Sequence, residues 1–144
     1  MKKKILLIFL MTTSVYLFSF AQCNDKLIDI AVSQNHNATY LKDFKVKLPA
    51  TPKNKPRAIA KFQIVLNGGN HYRFNIAKAS EYNGIPIIQL YEGNKLLGTS
   101  YLTSKQKDYK MFDFICQKTG TYKIFISFKD GAAGCAVGIL SLVN

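Results

Sequence analysis

Apolar and polar residues alternate along most of this chain with a period of two, the repeat of a strand with one face in a core and one in water. The clearest instance runs from Thr121 to Lys129. Tyr122, Ile124, Ile126 and Phe128 share one side, and Thr121, Lys123, Ser127 and Lys129 share the other, where Phe125 is the only large apolar residue. Leu41 to Leu48 repeats the pattern, with Phe44, Val46 and Leu48 set against Asp43, Lys45 and Lys47. Ala60–Asn67 and His71–Ala77 read as a hairpin around Asn67-Gly68-Gly69-Asn70, a turn built from residues that tolerate positive φ. Ile85–Tyr91 and Lys95–Thr103 read as a second hairpin around Glu92-Gly93-Asn94. Turns at 117–120 and 130–134 divide the closing segment, 107–144, into three more strands.

Two segments break the alternation. Pro49, Pro52 and Pro56 deny backbone donors and restrict their neighbours, so the stretch from Pro49 to Arg57 is an extended loop. Asn24 to Val32 fits a short helix: Asn24 as N-cap, Asp25 in the first turn, and Leu27, Ile28, Ala31 and Val32 on one face. So short a segment also fits a strand. About eight short strands at regular turn spacing specify an all-β chain: a jelly-roll-like antiparallel β-sandwich with a short N-terminal helix or arm. The expected organisation is a signal peptide over 1–21, the helix or arm over 22–40 and the sandwich over 41–144.

The first 21 residues have the three parts of a secretory signal: a Lys2-Lys3-Lys4 head, an apolar middle, and Ser19 and Ala21 placed for cleavage before Gln22. A retained anchor fits less well, because Thr12, Thr13 and Ser14 interrupt the apolar run and leave it short for a bilayer core of about 30 Å. Acylation at Cys23 would require a small residue where Gln22 stands. The mature chain is therefore expected in the periplasm, outside the cell or at its surface, with no transmembrane segment after cleavage. Removing the three leading lysines from 20 basic residues leaves 17 against 8 acidic ones, a net charge of +9. Such a surface favours encounter with phosphate- or carboxylate-bearing partners without naming one.

Three cysteines in an exported chain suggest one disulfide and one leftover thiol. If the last three strands form a simple meander, Cys116 and Cys135 lie at opposite ends of the middle strand, about 30 Å apart. A disulfide needs Cα atoms within about 7 Å. Cys23 is then the better partner, giving Cys23–Cys135, with Cys116 a buried free thiol beside Phe112 and Phe114. The alternative is three unpaired cysteines.

No catalytic constellation emerges. His36 and His71 sit in a turn and at a strand end, no Cys-x-x-Cys occurs, and the eight carboxylates are scattered rather than gathered for a metal. Asp113 interrupts an apolar strand, but its parity is opposite to that of Phe112 and Phe114, which places it on the outside. The expectation is no enzyme, no cofactor and no metal. The densest basic patch is Lys53, Lys55 and Arg57 in the proline-rich loop. Lys45, Lys47, Lys61, Arg73, Lys123 and Lys129 fall on polar strand faces, in a wider surface that includes Tyr82, Tyr91 and Tyr101. A sheet carrying cations and aromatics can bind an anionic polysaccharide or a nucleic acid, and export argues against the latter. The alternative is a lysine-rich outer face that guards strand edges.

From Lys61 to Asn144 the layout resembles the bacterial pre-peptidase C-terminal domain, a small jelly-roll-like sandwich. The likeness rests on Phe62-x-Ile64-x-Leu66 with Gly69 and Tyr72-x-Phe74, on Ile88-x-Leu90-Tyr91-Glu92-Gly93-Asn94 with Leu96-Leu97, and on Phe112-x-Phe114 with Thr119-Gly120-Thr121-Tyr122-x-Ile124. The chain is also similar to short exported proteins of Gram-negative bacteria that end in a GCAVGILS strand. The resemblance implies an accessory binding module without an active site, and the acidic loops of calcium-binding relatives are missing here. The expected function is a non-catalytic envelope protein that binds a glycan, an anionic envelope polymer or a secreted protein. Its expected contact surface is Lys53, Lys55 and Arg57 with exposed Tyr82, Tyr91 and Tyr101. The competing expectation is a structural subunit of a surface or secretion assembly, joined by sheet-edge pairing.

Overall fold

The structure, a computed structural model, describes residues 25–144. A helix α1 (Asp25–Ser33) precedes ten strands: β1 (Ala38–Leu48), β2 (Ile59–Leu66), β3 (His71–Lys78), β4 (Pro86–Glu92), β5 (Lys95–Thr99), β6 (Tyr101–Leu102), β7 (Lys107–Asp108), β8 (Met111–Ile115), β9 (Gly120–Phe128) and β10 (Gly134–Val143). The two-residue strands β6 and β7 form a small ribbon, and the other eight form two four-stranded antiparallel sheets. One sheet has the order β1-β10-β3-β8 and the other β2-β9-β4-β5. With the ribbon set aside, the first sheet joins the first, eighth, third and sixth strands, and the second joins the second, seventh, fourth and fifth. That interleaving is a jelly roll, two Greek keys wrapped face to face.

Strands adjacent in sequence therefore mostly belong to opposite sheets. β2 and β3 are not the hairpin expected from the Asn67–Asn70 turn, since β2 pairs with β9 while β3 pairs with β10 and β8. The turn instead carries the chain across the sandwich. Gly69 has a φ of +87°, and a Cβ on Gly68 would meet the Thr119 backbone nitrogen at 3.0 Å. The Gly68 amide donates to Thr119 Oγ1 at 2.8 Å, and the Gly69 amide donates to the Cys116 carbonyl at 2.7 Å. The expected second hairpin does form, from β4 and β5, with a bulge between Leu90 and Tyr91 and Gly93 at φ +57°.

The alternation read from the sequence fills the space between the sheets. Tyr122, Ile124, Ile126 and Phe128 of β9 meet Phe44, Val46, Tyr72, Phe74, Ile76 and Leu140 of the facing sheet, all buried. Phe74 stacks on Phe112 with ring centroids 5.1 Å apart, and Phe44 packs against Phe62 at 5.0 Å. β10 is central in its sheet and buried on both sides. Its Ala136 and Leu140 enter the sandwich core. Cys135, Val137 and Ile139 enter a second cluster with Leu27 and Ala31, where Ile28 and Val32 complete the cover. The ambiguous segment thus resolves as helix over Asp25–Ser33, because its four apolar residues at helical spacing can cap the outer face of β10 and β3, which a strand could not do with the same residues.

Polar contacts fix the helix in place. Asp25 Oδ1 lies 2.7 Å from Lys45 Nζ on β1. At the other end, the Asn35 amide nitrogen donates to Asn75 Oδ1 and Ser141 Oγ, and the Asn75 amide nitrogen donates to the Ala31 carbonyl at 2.8 Å. All three side chains are buried, and these hydrogen bonds offset part of the cost of desolvation, while Asn35 Oδ1 has no partner among the described residues. β1 begins at Ala38, inside the 22–40 segment assigned to the arm.

The meander assumed for the cysteines is incorrect. β8 and β10 lie in the same sheet with β3 between them, while β9 belongs to the other. Cys116 joins the core inside the sandwich and Cys135 joins the cluster under the helix, on opposite faces of one sheet. They also lie at opposite ends of β3, Cys116 beside Asn70 and Cys135 beside Ala79. Strand length and opposite faces together keep them apart, with β3 rather than β9 as the strand between. Cys116 is buried and free. Cys135 is disulfide-bonded; Cys23, the partner expected for it, lies outside the described residues, as does the signal segment 1–21.

Gly134 makes the two-sided burial of β10 possible at its start, since a Cβ there would run into the ring of Phe128, which is 1% exposed. Gly134→Ala should cost about 1–3 kcal/mol of stability through overpacking. Urea unfolding is expected to show that loss shrinking when Phe128→Leu is combined with it, the coupling that direct contact produces.

Candidate functional site

Among the described residues, the loop between β1 and β2 forms one shallow concavity and the outer face of the second sheet forms another. The loop is pinned through Thr51. The Thr51 amide donates to the Gly131 carbonyl at 2.8 Å, its Oγ1 accepts from the Ala58 amide at 3.1 Å, and the Lys55 amide closes a turn onto the Pro52 carbonyl at 3.0 Å. Prolines set φ and Thr51 sets position, so the loop stands against the β9–β10 turn rather than trailing free. Between them lies a concavity of about 590 Å³ lined by Thr51, Pro52, Lys53, Lys55, Arg57, Asp130 and Gly131. Lys53, Lys55 and Arg57 are all exposed there. The one carboxylate on its rim, Asp130, lies 3.8 Å from Lys129 Nζ. The chemistry on offer is a cluster of solvated cations, able to receive phosphate or carboxylate oxygens.

The three tyrosines expected beside this loop lie in three different settings. Tyr82 is half-buried against the helix-side cluster, with its carbonyl accepting from Lys78 Nζ at 3.2 Å. Tyr91 is half-buried on β4, with its ring 4.9 Å from that of Phe125. Tyr101 is not an exposed contact residue at all: it is 6% exposed, and Lys129 Nζ lies 5.6 Å above its ring. Its position at the end of the β4–β5 hairpin looked solvent-facing because local alternation does not reveal what packs over a strand after it leaves the sheet.

The lysine-rich faces also divide. Lys45 is engaged by Asp25, and Arg73 is engaged by Asp113 through two contacts, Nε to Oδ1 at 2.6 Å and Nη2 to Oδ2 at 2.8 Å. His71 Nε2 lies 2.9 Å from Asp113 Oδ2, and Arg73 Nη1 donates to the His36 carbonyl at 3.0 Å. Asp113 faces outward, as its parity required, and serves as the acceptor at the centre of a β3–β8 clasp. The Arg73 hydrogen bonds, opposed by partial burial and helped by His71, hold its carboxyl below the usual carboxylate range. Inside the core, the Cys116 thiol and burial push the Tyr122 hydroxyl up to about 12. That hydroxyl donates to the Lys118 carbonyl at 2.7 Å, a structural use.

Lys61, Phe62, Gln63, Lys123 and Phe125 line the second concavity, of about 350 Å³. Lys61 Nζ lies 5.2 Å from the Phe125 centroid. Sequence reasoning had singled out Phe125 as the apolar exception on a wet face and Lys61 and Lys123 as outward cations, without knowing that β2 and β9 are neighbours. The signal was present; the pairing was not. No three of the His, Cys, Asp and Glu side chains among the described residues are grouped so as to hold a metal ion.

Neither a protein-family model nor a curated protein sequence matches the chain. Among solved structures, the chain is similar to a periplasmic lysozyme inhibitor of g-type lysozyme from Aeromonas hydrophila, PliG, with a TM-score of 0.53 and 10% identity over 72% of this chain and 87% of that one. At that identity the likeness is one of fold, and it agrees with the β-sandwich described above.

Asp113→Asn should lower stability at neutral pH by about 0.5–1 kcal/mol, the worth of a partly exposed ion pair. A depressed folded-state pKa contributes stability that is complete above the unfolded value near 3.9 and is lost as pH falls through the folded one. Urea midpoints of the variant and the parent should therefore differ at pH 7 and converge by about pH 2.

Proposed function

We propose that this chain is an exported, non-catalytic binding module that engages an acidic partner through the concavity of the β1–β2 loop. The observation that carries this reading is the clustering of Lys53, Lys55 and Arg57 around a loop held in shape by Thr51 and the prolines. Preorganised cations lose less freedom on binding than cations on a free tail, and they speed encounter with an oppositely charged surface. The signal-like first 21 residues and the fold shared with a periplasmic inhibitor support placing it outside the cytoplasm. The resemblance to pre-peptidase C-terminal domains, which act as accessory modules, favours the same class.

The fold neighbour also suggests a first protein ligand, since that protein is described as an inhibitor of g-type lysozyme. A jelly roll that works by docking needs only a rigid scaffold and a surface patch, and both are present here. The competing reading is a structural subunit. It draws on β2, an edge strand whose Val65 is 68% exposed and whose Ile59 is 42% exposed. A stable oligomer in sedimentation, independent of ligand, would favour the subunit over the module.

Charge reversal at Lys53, Lys55 and Arg57 together should weaken binding to isolated anionic envelope material about tenfold or more at low ionic strength, with wild-type binding itself falling as salt is raised. Retention unchanged by the triple substitution would remove the loop as the contact surface. Addition of the purified protein to a g-type lysozyme turbidity assay tests the lysozyme ligand separately: inhibition lost in the same triple variant would join the two.

A further inference from the structure

The two sheets treat their outer faces differently. On the first, apolar Val137 and Ile139 are covered by α1. On the second, Phe125 and Tyr91 stand half-buried on the solvent side beside the open concavity at Lys61 and Gln63. Strand register arranges these side chains as a grid. Lys61, Phe125 and Gln89 are cross-strand neighbours in one row, and Gln63, Lys123 and Tyr91 are neighbours in the next. Residues two apart on a strand share a face, so all six project from the same surface, a patch about 10 Å across the strands and about 7 Å along them. The Phe125 and Tyr91 rings lie diagonally, 4.9 Å apart and inclined by 36°.

From this arrangement we infer that the outer face of β2, β9 and β4 is a glycan-binding platform for an acidic polysaccharide of the uronate type. Each part of the grid matches one part of such a ligand. The aromatic rings offer an apolar surface for the C–H face of a sugar ring. Gln63 and Gln89 each supply a donor and an acceptor, as a run of hydroxyls requires. Lys61 and Lys123 are diagonal neighbours on adjacent strands, one in each row, so each can meet a carboxylate of successive sugars along a chain. The patch has the footprint of about a disaccharide, by the strand spacings that define it. A nucleic acid would also stack on aromatics, but its affinity depends on neutralising a phosphate at every nucleotide. Two cations among two amides and two rings suit a polymer of lower charge density. This platform is distinct from the Lys53–Arg57 loop, and neither assignment depends on the other.

The test measures binding of the purified protein to polygalacturonate oligomers by titration calorimetry, with neutral dextran and a single-stranded oligothymidylate as comparison ligands. Phe125→Ala, and separately Lys61→Ala with Lys123→Ala, should each weaken polygalacturonate binding about tenfold, a change that calorimetry resolves readily. Charge reversal at Lys53, Lys55 and Arg57 should leave it within about twofold, since that loop belongs to the other concavity. Because Phe125 is half-buried, Phe125→Leu provides a second variant that keeps the apolar contact and removes the ring; it should weaken binding comparably with its unfolding midpoint preserved. Binding unaffected by loss of the ring overturns the platform, as does equal weakening by the loop variant, which would mean general charge attraction. Tighter binding of oligothymidylate than of polygalacturonate overturns the glycan assignment.

Discussion

The structure depends on β10 being buried on both faces. A strand at the centre of an antiparallel sheet normally keeps one side in water and alternates accordingly. Gly134 to Val143 does not alternate: eight consecutive residues, Gly134 to Ser141, are buried. One set of side chains fills the sandwich, where Gly138 lies so close to Ile88 and Ile126 that a Cβ would meet them at 2.9 and 3.0 Å. The other set would be exposed without a cover, and the cover is α1. The helix is thus a consequence of what β10 needs. Its own residues are too few to hold a helix in water unaided, and the sheet supplies the missing stability through Leu27 and Ala31 and through the buried amides of Asn35 and Asn75.

The same economy explains why the polar contacts of the first sheet are mostly internal. Asp25–Lys45, Arg73–Asp113 and the Arg73 bond to the His36 carbonyl all tie the helix, its exit and the edge strand β8 to the sheet beneath. Charges used in this way are withdrawn from partners. What is left over for binding includes the β1–β2 loop and the outer face of the second sheet, where Lys53, Lys55, Arg57, Lys61 and Lys123 make no ion pair among the described residues. The division follows from the fold: one outer face is covered and clasped, and the other is open around Phe125 and Tyr91, although Ile87 and Ser127 beside them are buried.

Parity was legible in the sequence and partnership was not. The inward set of β9, the outward position of Asp113 and the helical spacing of Leu27, Ile28, Ala31 and Val32 all follow from local periodicity, because a pleat or a helix imposes its repeat wherever the strand or helix ends up. The Asn67–Asn70 turn was misread for the same reason. An alternating strand on each side of a glycine turn looks identical whether the chain folds back on its own sheet or crosses to the facing one, and in a jelly roll it crosses. The exposure expected for Tyr101 and the meander assumed around the cysteines failed with it, since both depend on which strands are neighbours, although Cys116 is buried and free as expected. The loop cations were found because composition alone marks them. The Lys61–Phe125–Tyr91 surface was visible only as an outward phenylalanine and scattered lysines until register brought them together.

The interleaved strand order has one more consequence, and it concerns when the fold can exist. β1 pairs with β10, Ala38 opposite Val143, so the first strand of the sandwich waits for the last. Until β10 inserts, β1 and β3 both present unpaired edges towards the same gap, and the apolar face meant for α1 has no strand to sit on. Closing so long a loop before its contacts form makes assembly slow. It also makes the fold all-or-none with respect to its C-terminus: a chain broken off before Gly134 loses the shared keystone of both hydrophobic clusters, and what remains is two open edges ready to accept a strand from another molecule.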